Sequence, residues 1–432
     1  MSSSRHQEYL DDLPVDWEKV PIDSLGTIYS GGTPRRDQPS FWSGKIAWVT
    51  PGELTSLNNK YLTKTREFIS ELGLTSSSAQ MLPSGSLLVT TRATIGLVVI
   101  SKIPVCTNQG FKNIVPNKLT NSNFYYYLLK YIVSEMSRLA MGSTFDEISR
   151  RDFSTIIVPR PEFQEQQKIA EILDTVDKAI ALTQTHISKL KLAKAGLLHD
   201  LLTKGIDEHG ELRNPTRNPQ QFKDSPLGRI PKDWEVKPLS SIANLQVGYA
   251  FKSQWFQENK GIKLIRGENV GYGLPDWSDT KRLPWNMYPQ YKDYELSKGD
   301  IIIGMDRTFT KSGFKISVLS SNDVPSLLVQ RVGRFLPHSC NLEFLKVLLN
   351  SEKYKLSLQL QQKGMDIPHL SSSEILEPIV PIPLSKEQNR IADFVTVHDA
   401  RIHSKQAQLE KLKLLKLGLM SDLLTGKVRV KI

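Results

Sequence analysis

The chain has 432 residues, 39% of them hydrophobic, so it is long enough to bury sizeable cores and to form two globular domains with connectors. Its two cysteines, Cys106 and Cys340, argue against a disulfide framework, and the lack of a long apolar run or signal-peptide core predicts a cytoplasmic protein with no membrane partner. The net charge of +11 is compatible with a polyanionic partner, although much of the excess lies in 384–432, which carries 10 Lys and Arg against 5 Asp and Glu.

The first globular segment opens at the run 14–18, Pro-Val-Asp-Trp-Glu, which places a rigid turn and an aromatic anchor at its start. The pattern that follows is rich in strands with short helices. A helix is predicted over 123–132, capped by Asn121 or Ser122. Buried strands are predicted most clearly over two apolar runs bounded by Gly and Ser, 86–91 and 96–101.

A long helix is predicted over 162–204, because its seam residues recur at alternating steps of four and three from Ile169 to Leu201. Such spacing over about five heptads is typical of a coiled-coil seam, and a helix of about 38 residues is roughly 57 Å long. Polar seam residues such as Thr183 would help to fix register and partner. The alternative is a helix that packs only on its own domain.

A polar connector rich in Pro, Gly and Asn is predicted over 205–233. The chain then repeats itself, with Pro-Lys-Asp-Trp-Glu at 231–235 and a second long helix within 384–432. Glu165-Gln166 of the first helix matches Glu387-Gln388 of the second. One constant offset relates the two copies, so a whole domain with its helix is duplicated rather than a short solenoid unit.

The lysines Lys194 and Lys416 occupy the same seam position in the two helices. Parallel pairing in register would place these charges opposite each other, whereas antiparallel pairing would keep them apart. The sequence therefore predicts an antiparallel pair of helices.

The sequence lacks the common catalytic, cofactor-binding and metal-binding motifs. There is no G-x-x-x-x-G-K-[ST] phosphate loop, no G-x-G-x-x-G turn, no H-E-x-x-H and no paired C-x-x-C. The acidic pair with lysine that a nuclease needs, and the cofactor loop and Asn/Asp-Pro-Pro-aromatic motif of a DNA methyltransferase, are not found either. We therefore expect a protein that is not an enzyme and that holds no cofactor or metal.

Polar loops in the first segment are suited to nucleic acid instead. Gly31-Gly32 allow close approach of the backbone to a surface, and guanidinium, amide and hydroxyl groups follow that can read base edges or hold phosphates. At each position the alternative is a solvated surface side chain. The candidate DNA-binding residues of this segment are Thr33, Arg35, Arg36, Arg92, Thr94, Gln109, Lys112, Ser143 and Thr144.

The second segment has its own set of polar loops. Arg92 and Arg307 are the strongest candidates of the two segments, because they are expected at matching places in the repeat. The candidate DNA-binding residues of the second segment are Arg266, Asn269, Arg307, Lys311, Lys315, Gln330, Arg331 and Lys363.

Together these features resemble the specificity subunit of a type I restriction–modification system over nearly the whole chain. The most specific part is the duplicated Pro-x-x-x-Glu-Gln-x-x-Ile-Ala motif that starts each long helix, at Pro161 and Pro383. The second segment departs from the family pattern, since 305–308 reads Met-Asp-Arg-Thr where the first reads Thr-Arg-Ala-Thr. The other matching runs are the Gly-Gly-Thr-Pro turn at 31–34, Phe-Trp-x-Gly-x-Ile-x-Trp at 41–48, Thr-Arg-Ala-Thr-Ile-Gly at 91–96 and Gly-Ser-Thr at 142–144.

The resemblance implies an α+β fold with two similar mixed α/β target recognition domains. Each domain is followed by a long helix, and the two helices pair as an antiparallel coiled coil with pseudo-twofold symmetry. The implied segments are an N-terminal target recognition domain at 1–161, a central coiled-coil helix at 162–204, a connector at 205–233, a C-terminal target recognition domain at 234–383, and a C-terminal helix and tail at 384–432.

The resemblance also implies a non-catalytic subunit that reads a bipartite, asymmetric site on double-stranded DNA. Two modification subunits, which bind S-adenosylmethionine and methylate adenine, would dock on it. Two restriction subunits, which use ATP and Mg²⁺, would complete the hetero-oligomer. The alternatives are a coiled-coil scaffold whose globular domains bind protein partners, and a stand-alone DNA methyltransferase or nuclease.

Overall fold

The computed structural model describes residues 2–57, 59–140, 147–361 and 369–432. These residues divide into two compact units. Unit 1 comprises the chain up to Thr185 together with Gln406–Ile432, and unit 2 comprises His186–Lys405. Each unit therefore contains one globular segment, part of the first long helix and part of the second.

Unit 1 has a mixed α/β composition. Its strands are β1 (Glu18–Pro21), β2 (Gly26–Ser30), β3 (Ile46–Val49), β4 (Tyr61–Leu62), β5 (Glu67–Ile69), β6 (Leu87–Thr90), β7 (Val98–Ser101), β8 (Cys106–Thr107), β9 (Phe111–Pro116) and β10 (Ile157–Arg160). Its helices are α1 (Ser2–Asp11), α2 (Pro51–Thr55), α3 (Glu71–Thr75), α4 (Ser122–Tyr131), α5 (Val133–Ala140), α6 (Arg150–Thr155) and the first part of α7 (Phe163–Leu201).

Unit 2 has a similar composition. Its strands are β11 (Phe222–Lys223), β12 (Ile230–Pro231), β13 (Glu235–Pro238), β14 (Ala243–Val247), β15 (Ile262–Ile265), β16 (Tyr272–Gly273), β17 (Lys281–Leu283), β18 (Glu295–Leu296), β19 (Ile301–Gly304), β20 (Phe309–Thr310), β21 (Gly313–Phe314), β22 (Ile316–Val318), β23 (Ser326–Leu328), β24 (Val332–Pro337) and β25 (Ile379–Ile382). Its helices are α8 (Leu342–Leu349), α9 (Glu352–Gln361), α10 (Ser372–Leu376), the last part of α7 and the first part of α11 (Ser385–Leu424), whose last part belongs to unit 1.

The sheets of the two units have matching topology. In unit 1 a five-stranded sheet has the order β2-β9-β6-β7-β4, and a smaller sheet has the order β5-β3-β8. In unit 2 the corresponding orders are β14-β24-β19-β22-β16 and β17-β15-β23-β18. Both large sheets are mixed, because their last strand pairs in parallel and the others pair antiparallel. The predicted duplication of an α/β domain is confirmed.

Several local predictions are confirmed in unit 1. The predicted strands form as β6 and β7, and every residue of both is buried. The helix after them is α4, and its cap is Asn121, whose side-chain oxygen accepts hydrogen bonds from the amides of Asn123 at 2.9 Å and Phe124 at 3.1 Å. These bonds satisfy amide donors that the first helical turn leaves without partners.

The two long helices contact each other in antiparallel orientation. In unit 1 the beginning of α7 shares a buried cluster with the end of α11, through Leu173 and Leu423. In unit 2 the end of α7 shares a buried cluster with the beginning of α11, through Leu201 and Ile391. The predicted antiparallel pairing is confirmed.

Each of the two seam lysines forms an ion pair with the opposite helix. Lys416 of α11 lies 2.6 Å from the Asp177 carboxylate of α7 in unit 1. Lys194 of α7 lies 2.5 Å from the Asp399 carboxylate of α11 in unit 2. Each charge therefore has an acidic partner on the opposite helix, and the duplicated sequence forms the same inter-helix ion pair twice.

Trp17 and Glu165, which both recur in the repeat, are hydrogen-bonded to each other in unit 1. Glu165, at the start of α7, is buried and accepts a hydrogen bond from the Trp17 indole at 3.0 Å. Arg429, which follows α11, donates to the same carboxylate at 2.8 Å and reaches Asp16 as well. The pairing holds the start of the domain, the start of its helix and the end of the other helix together.

Unit 2 forms the same cluster with an arginine from the polar connector. Glu387 is buried and accepts a hydrogen bond from the Trp234 indole at 3.0 Å. Arg213 of the connector donates to Glu387 at 2.6 Å and 3.1 Å, and the Ile206 amide donates at 2.8 Å. The connector is therefore fixed to its own unit by a buried ion pair.

Candidate nucleic-acid interface

Loops at one corner of unit 1 surround an open groove of about 360 Å³. They follow β3, β6 and β8, and β3 and β8 are parallel neighbours, so their carboxyl ends lie at the same edge. Two of the predicted residues, Arg92 and Gln109, line this groove, and the Thr33 hydroxyl donates a hydrogen bond to Gln109. The full lining is Thr50, Pro51, Gly52, Arg92, Ala93, Asn108, Gln109 and Gly110.

The loop that carries Arg92 is fixed by backbone hydrogen bonds. The Thr91 amide donates to the Gly110 carbonyl at 2.8 Å, and the Ile148 amide donates to the Thr91 carbonyl at 2.9 Å. Ala93 then turns the chain with a positive φ of 61°. Thr94, which lies half-buried in the same loop, follows this turn. The arrangement places Arg92 on the groove side of a rigid strand end.

Glu147 connects Arg92 with a second predicted residue. Its carboxylate lies 3.8 Å from Arg92 Nε and 3.3 Å from Lys112 Nζ. The Lys112 side chain is only 6% exposed, so it supports Glu147 from behind rather than facing solvent. Sequence reasoning missed Glu147, because a single acidic residue far along the chain carries no pattern that links it to Arg92.

The glycine pair after β2 packs against the unit itself. A Cβ atom on Gly31 would lie 1.8 Å from the Asn108 carbonyl oxygen, and one on Gly32 would lie 2.3 Å from the Ala79 nitrogen. The close backbone approach that these glycines were expected to allow is therefore made to the protein's own loops.

The two arginines that follow the glycine pair lie outside the groove lining. Arg35 forms an exposed ion pair with Asp37, and this hydrogen-bonded arginine lowers the pKa of that carboxyl. Arg36 lies over the Trp42 ring at 3.7 Å and pairs with Glu67 at 2.6 Å. The structure does not bring Arg35 and Arg36 together with Arg92 and Gln109.

Unit 2 builds the same corner with different side chains. The Met305 amide donates to the Arg331 carbonyl, and the Leu370 amide donates to the Met305 carbonyl, both at 2.9 Å. Because Thr91 makes these two bonds in unit 1, Met305 is its equivalent, and Asp306 takes the place of Arg92. Arg307 then corresponds to Ala93, and it has the same positive φ, 46°. The expected match between Arg92 and Arg307 is therefore wrong by one residue.

Asp306 is the centre of this second corner. It accepts a hydrogen bond from Arg331 Nη1 at 2.7 Å and lies 2.6 Å from His369 Nδ1. Burial by itself would raise the pKa of Asp306, but the bonds from Arg331 and His369 outweigh burial and lower it. Arg331, Gln330 and Arg307 are all exposed beside it. Three predicted residues are therefore brought together here.

The remaining predicted residues of unit 2 are used differently. Asn269 is 1% exposed, and its amide donates to the Asp276 and Asp279 carbonyls at 2.9 Å and 3.0 Å. Arg266 pairs with Asp279 at 2.9 Å, so both residues hold one loop in shape. Lys315 donates to the Gly267 carbonyl, and Lys311 is exposed after β20. Ser143, Thr144 and Lys363 lie outside the described residues.

The two corners present guanidinium and amide groups, which can pair with base edges and phosphates, and carboxylates, which can accept hydrogen bonds from base donors. Within 2–57, 59–140, 147–361 and 369–432, no three His, Cys, Asp or Glu side chains are grouped as metal ligands would be. No helix in that part of the chain combines the length and the apolar character that crossing a membrane requires. Both cysteines are free thiols.

A family model described as "Type I restriction modification DNA specificity domain" matches residues 14–192 and 231–414. The chain is 30% identical over 422 residues to the type I restriction enzyme MjaVIII specificity subunit of Methanocaldococcus jannaschii, covering 97% of this chain and 94% of that protein. It is 28% identical over 438 residues to the MjaIX specificity subunit of the same organism, with 97% and 95% covered.

Solved structures of the same kind share the fold. The type I restriction–modification S subunit from M. genitalium superposes with a TM-score of 0.55 at 17% identity, covering 98% of this chain and 99% of that one. A chain from a structure of complex assembly and conformational transition in a type I R-M system gives a TM-score of 0.58 at 15% identity, covering 96% and 99%.

Proposed function

We propose that this chain, which belongs to the family of type I restriction–modification DNA specificity subunits, reads a bipartite and asymmetric sequence on double-stranded DNA. A specificity subunit is the non-catalytic component of its system, so the chemistry belongs to other chains. The observation that carries the bipartite proposal is the repeated corner. Unit 1 and unit 2 build it with the same backbone hydrogen bonds but with different side chains.

The difference between the corners supports two different half-sites. Arg92 and Gln109 line the groove of unit 1, whereas Asp306, Arg331 and Gln330 occupy the corner of unit 2. Side chains that differ in donors and acceptors pair with different base edges in the major groove. We propose Arg92, Gln109, Gln330, Arg331 and the exposed Arg307 as DNA contacts. Lys112, Arg266 and Asn269 would support their loops.

The paired helices carry a proposal about the spacer between the half-sites. Helices of 39 and 40 residues are joined by buried apolar residues and by two equivalent ion pairs. We propose that the pair sets the length of the non-specific spacer between the half-sites, as the separation of paired recognition elements does in dimeric DNA-binding proteins.

The partners follow from the same proposal. Two modification subunits would bind this chain, use S-adenosylmethionine and methylate an adenine that is flipped out of the duplex. Two restriction subunits would add ATP- and Mg²⁺-dependent cleavage. We propose that the chain itself holds no cofactor and that the complex acts in the cytoplasm.

A methyl-transfer assay tests this division of labour. The chain, its adenine methyltransferase partner and the mixture are each incubated with labelled S-adenosylmethionine and a DNA library. We expect sequence-specific methylation only in the incubation that contains both proteins. Methylation by this chain without a partner would identify an enzyme instead. Specific methylation by the partner without this chain would favour a protein-binding scaffold.

A further inference from the structure

Each corner contains one arginine paired with one carboxylate, but the two pairs are built on different strands. In unit 1 the arginine is Arg92, after β6, and the carboxylate is Glu147. In unit 2 the arginine is Arg331, between β23 and β24, and the carboxylate is Asp306, after β19. The position of Arg331 corresponds to Gly110 in unit 1, because the carbonyl of each accepts a hydrogen bond from the equivalent amide, that of Met305 or Thr91.

The geometry of the unit 2 pair leaves part of the guanidinium available. Arg331 Nη1 donates to Asp306 Oδ2 at 2.7 Å, while the Arg331 side chain is 64% exposed. The Nε and Nη2 groups of an arginine held in this way can donate two parallel hydrogen bonds. In the major groove, two such bonds match O6 and N7 of guanine.

Asp306 is itself held in place by two further contacts. Its other oxygen, Oδ1, lies 2.6 Å from His369 Nδ1, and its backbone forms an antiparallel bridge with the His369 backbone. The Asp306 side chain is 24% exposed, compared with 64% for Arg331, so the carboxylate lies behind the guanidinium. Arg331 also has a positive φ of 63°, a conformation that non-glycine residues seldom adopt.

We propose that Asp306 is a positioning residue that orients Arg331 to read one guanine in the half-site of unit 2. The inference rests on the proposed function, because it assumes that unit 2 reads DNA. It adds the base that Arg331 reads and the role of Asp306 behind Arg331. An arginine whose plane is fixed before binding loses less conformational entropy when it forms its base contacts.

The test uses the assembled methyltransferase complex with DNA in which each base pair of the recognised site is varied in turn. Methylation rates at limiting DNA give the discrimination at each position. We expect Arg331→Ala to lower the preference for guanine at one position of one half-site by about 5- to 150-fold, which corresponds to the loss of a bidentate contact of about 1–3 kcal/mol. Asp306→Ala and Asp306→Asn should lower the preference at that same position.

A double variant separates positioning from direct contact. If Asp306 acts through Arg331, then Asp306→Ala should add almost nothing to Arg331→Ala at the affected base. Asp300→Asn is the matched control, because it breaks another Asp–Arg ion pair of unit 2, with Arg334 at 3.1 Å, and should leave every base preference unchanged. Thermal unfolding and discrimination at the other half-site, which unit 1 reads, show that each variant is folded.

Three results would overturn the inference while leaving the proposed function intact. Asp306→Ala could leave all base preferences unchanged, could alter a position different from that of Arg331→Ala, or could add its full effect to it. Failure of the proposed function looks different, because the unaltered complex would then show no split recognition sequence at all.

Discussion

Glu387→Gln is expected to lower the free energy of unfolding by about 3 kcal/mol, because it removes the hydrogen-bonded counter-charge of the buried Arg213 guanidinium and leaves it only Asp233, at 3.6 Å. The Glu387 side chain is 2% exposed and carries hydrogen bonds from Arg213, Trp234 and the Ile206 amide. Glutamine retains an oxygen for the Trp234 indole but removes the negative charge. Chemical denaturation followed by circular dichroism measures the change.

Glu352→Gln is the control for this experiment. Glu352 also forms an ion pair, with Lys355 of the same helix at 3.1 Å, but its side chain is 90% exposed. Exposed pairs of this kind contribute about 0–1 kcal/mol, so the control should unfold nearly as the unaltered protein does. If both variants had the same stability as the unaltered protein, the buried cluster would not be what holds the connector to unit 2.

Insertion of one heptad into both long helices is expected to change the DNA site rather than to abolish recognition. The insertions are placed after Thr185 in α7 and after Lys405 in α11, where the division between the two units crosses both helices. Seven residues lengthen a helix by about 10 Å, which is about three base pairs of DNA. The complex should lose methylation at its original site and methylate one whose spacer is longer by about three base pairs.

A single insertion is the control for this prediction. Seven residues in α7 alone shift its seam by a whole repeat relative to α11 and separate Lys194 from Asp399 or Lys416 from Asp177. We expect this variant to lose stability and specific methylation. A double variant that methylated a site with the original spacer would contradict a helix pair that measures distance.

The sequence predicted features that depend on repetition and periodicity. The duplication of Glu165-Gln166 as Glu387-Gln388 and the heptad seam predicted the two domains and the two long helices, because both patterns are local and recur. The Lys194 and Lys416 positions gave the helix direction but not the partners Asp399 and Asp177. Those partners could be identified only once the two seams were in register.

The details of the corners were beyond the sequence for a physical reason. Glu147 reaches Arg92, and His369 reaches Asp306, only because isolated β-bridges bring distant segments together. The comparison of 305–308 with 91–94 had the correct register, but Arg307 was still expected to match Arg92 because both are arginines. The hydrogen bonds and the positive φ of Ala93 and Arg307 establish the register.

Mapping of methylated adenines in genomic DNA tests the central proposal most directly. DNA from cells that contain the modification subunit is compared with and without this chain. A split, asymmetric sequence with a spacer of fixed length should be methylated only when the chain is present. Identical methylation patterns in both samples, or methylation of one uninterrupted sequence, would contradict a subunit whose two units read separate half-sites.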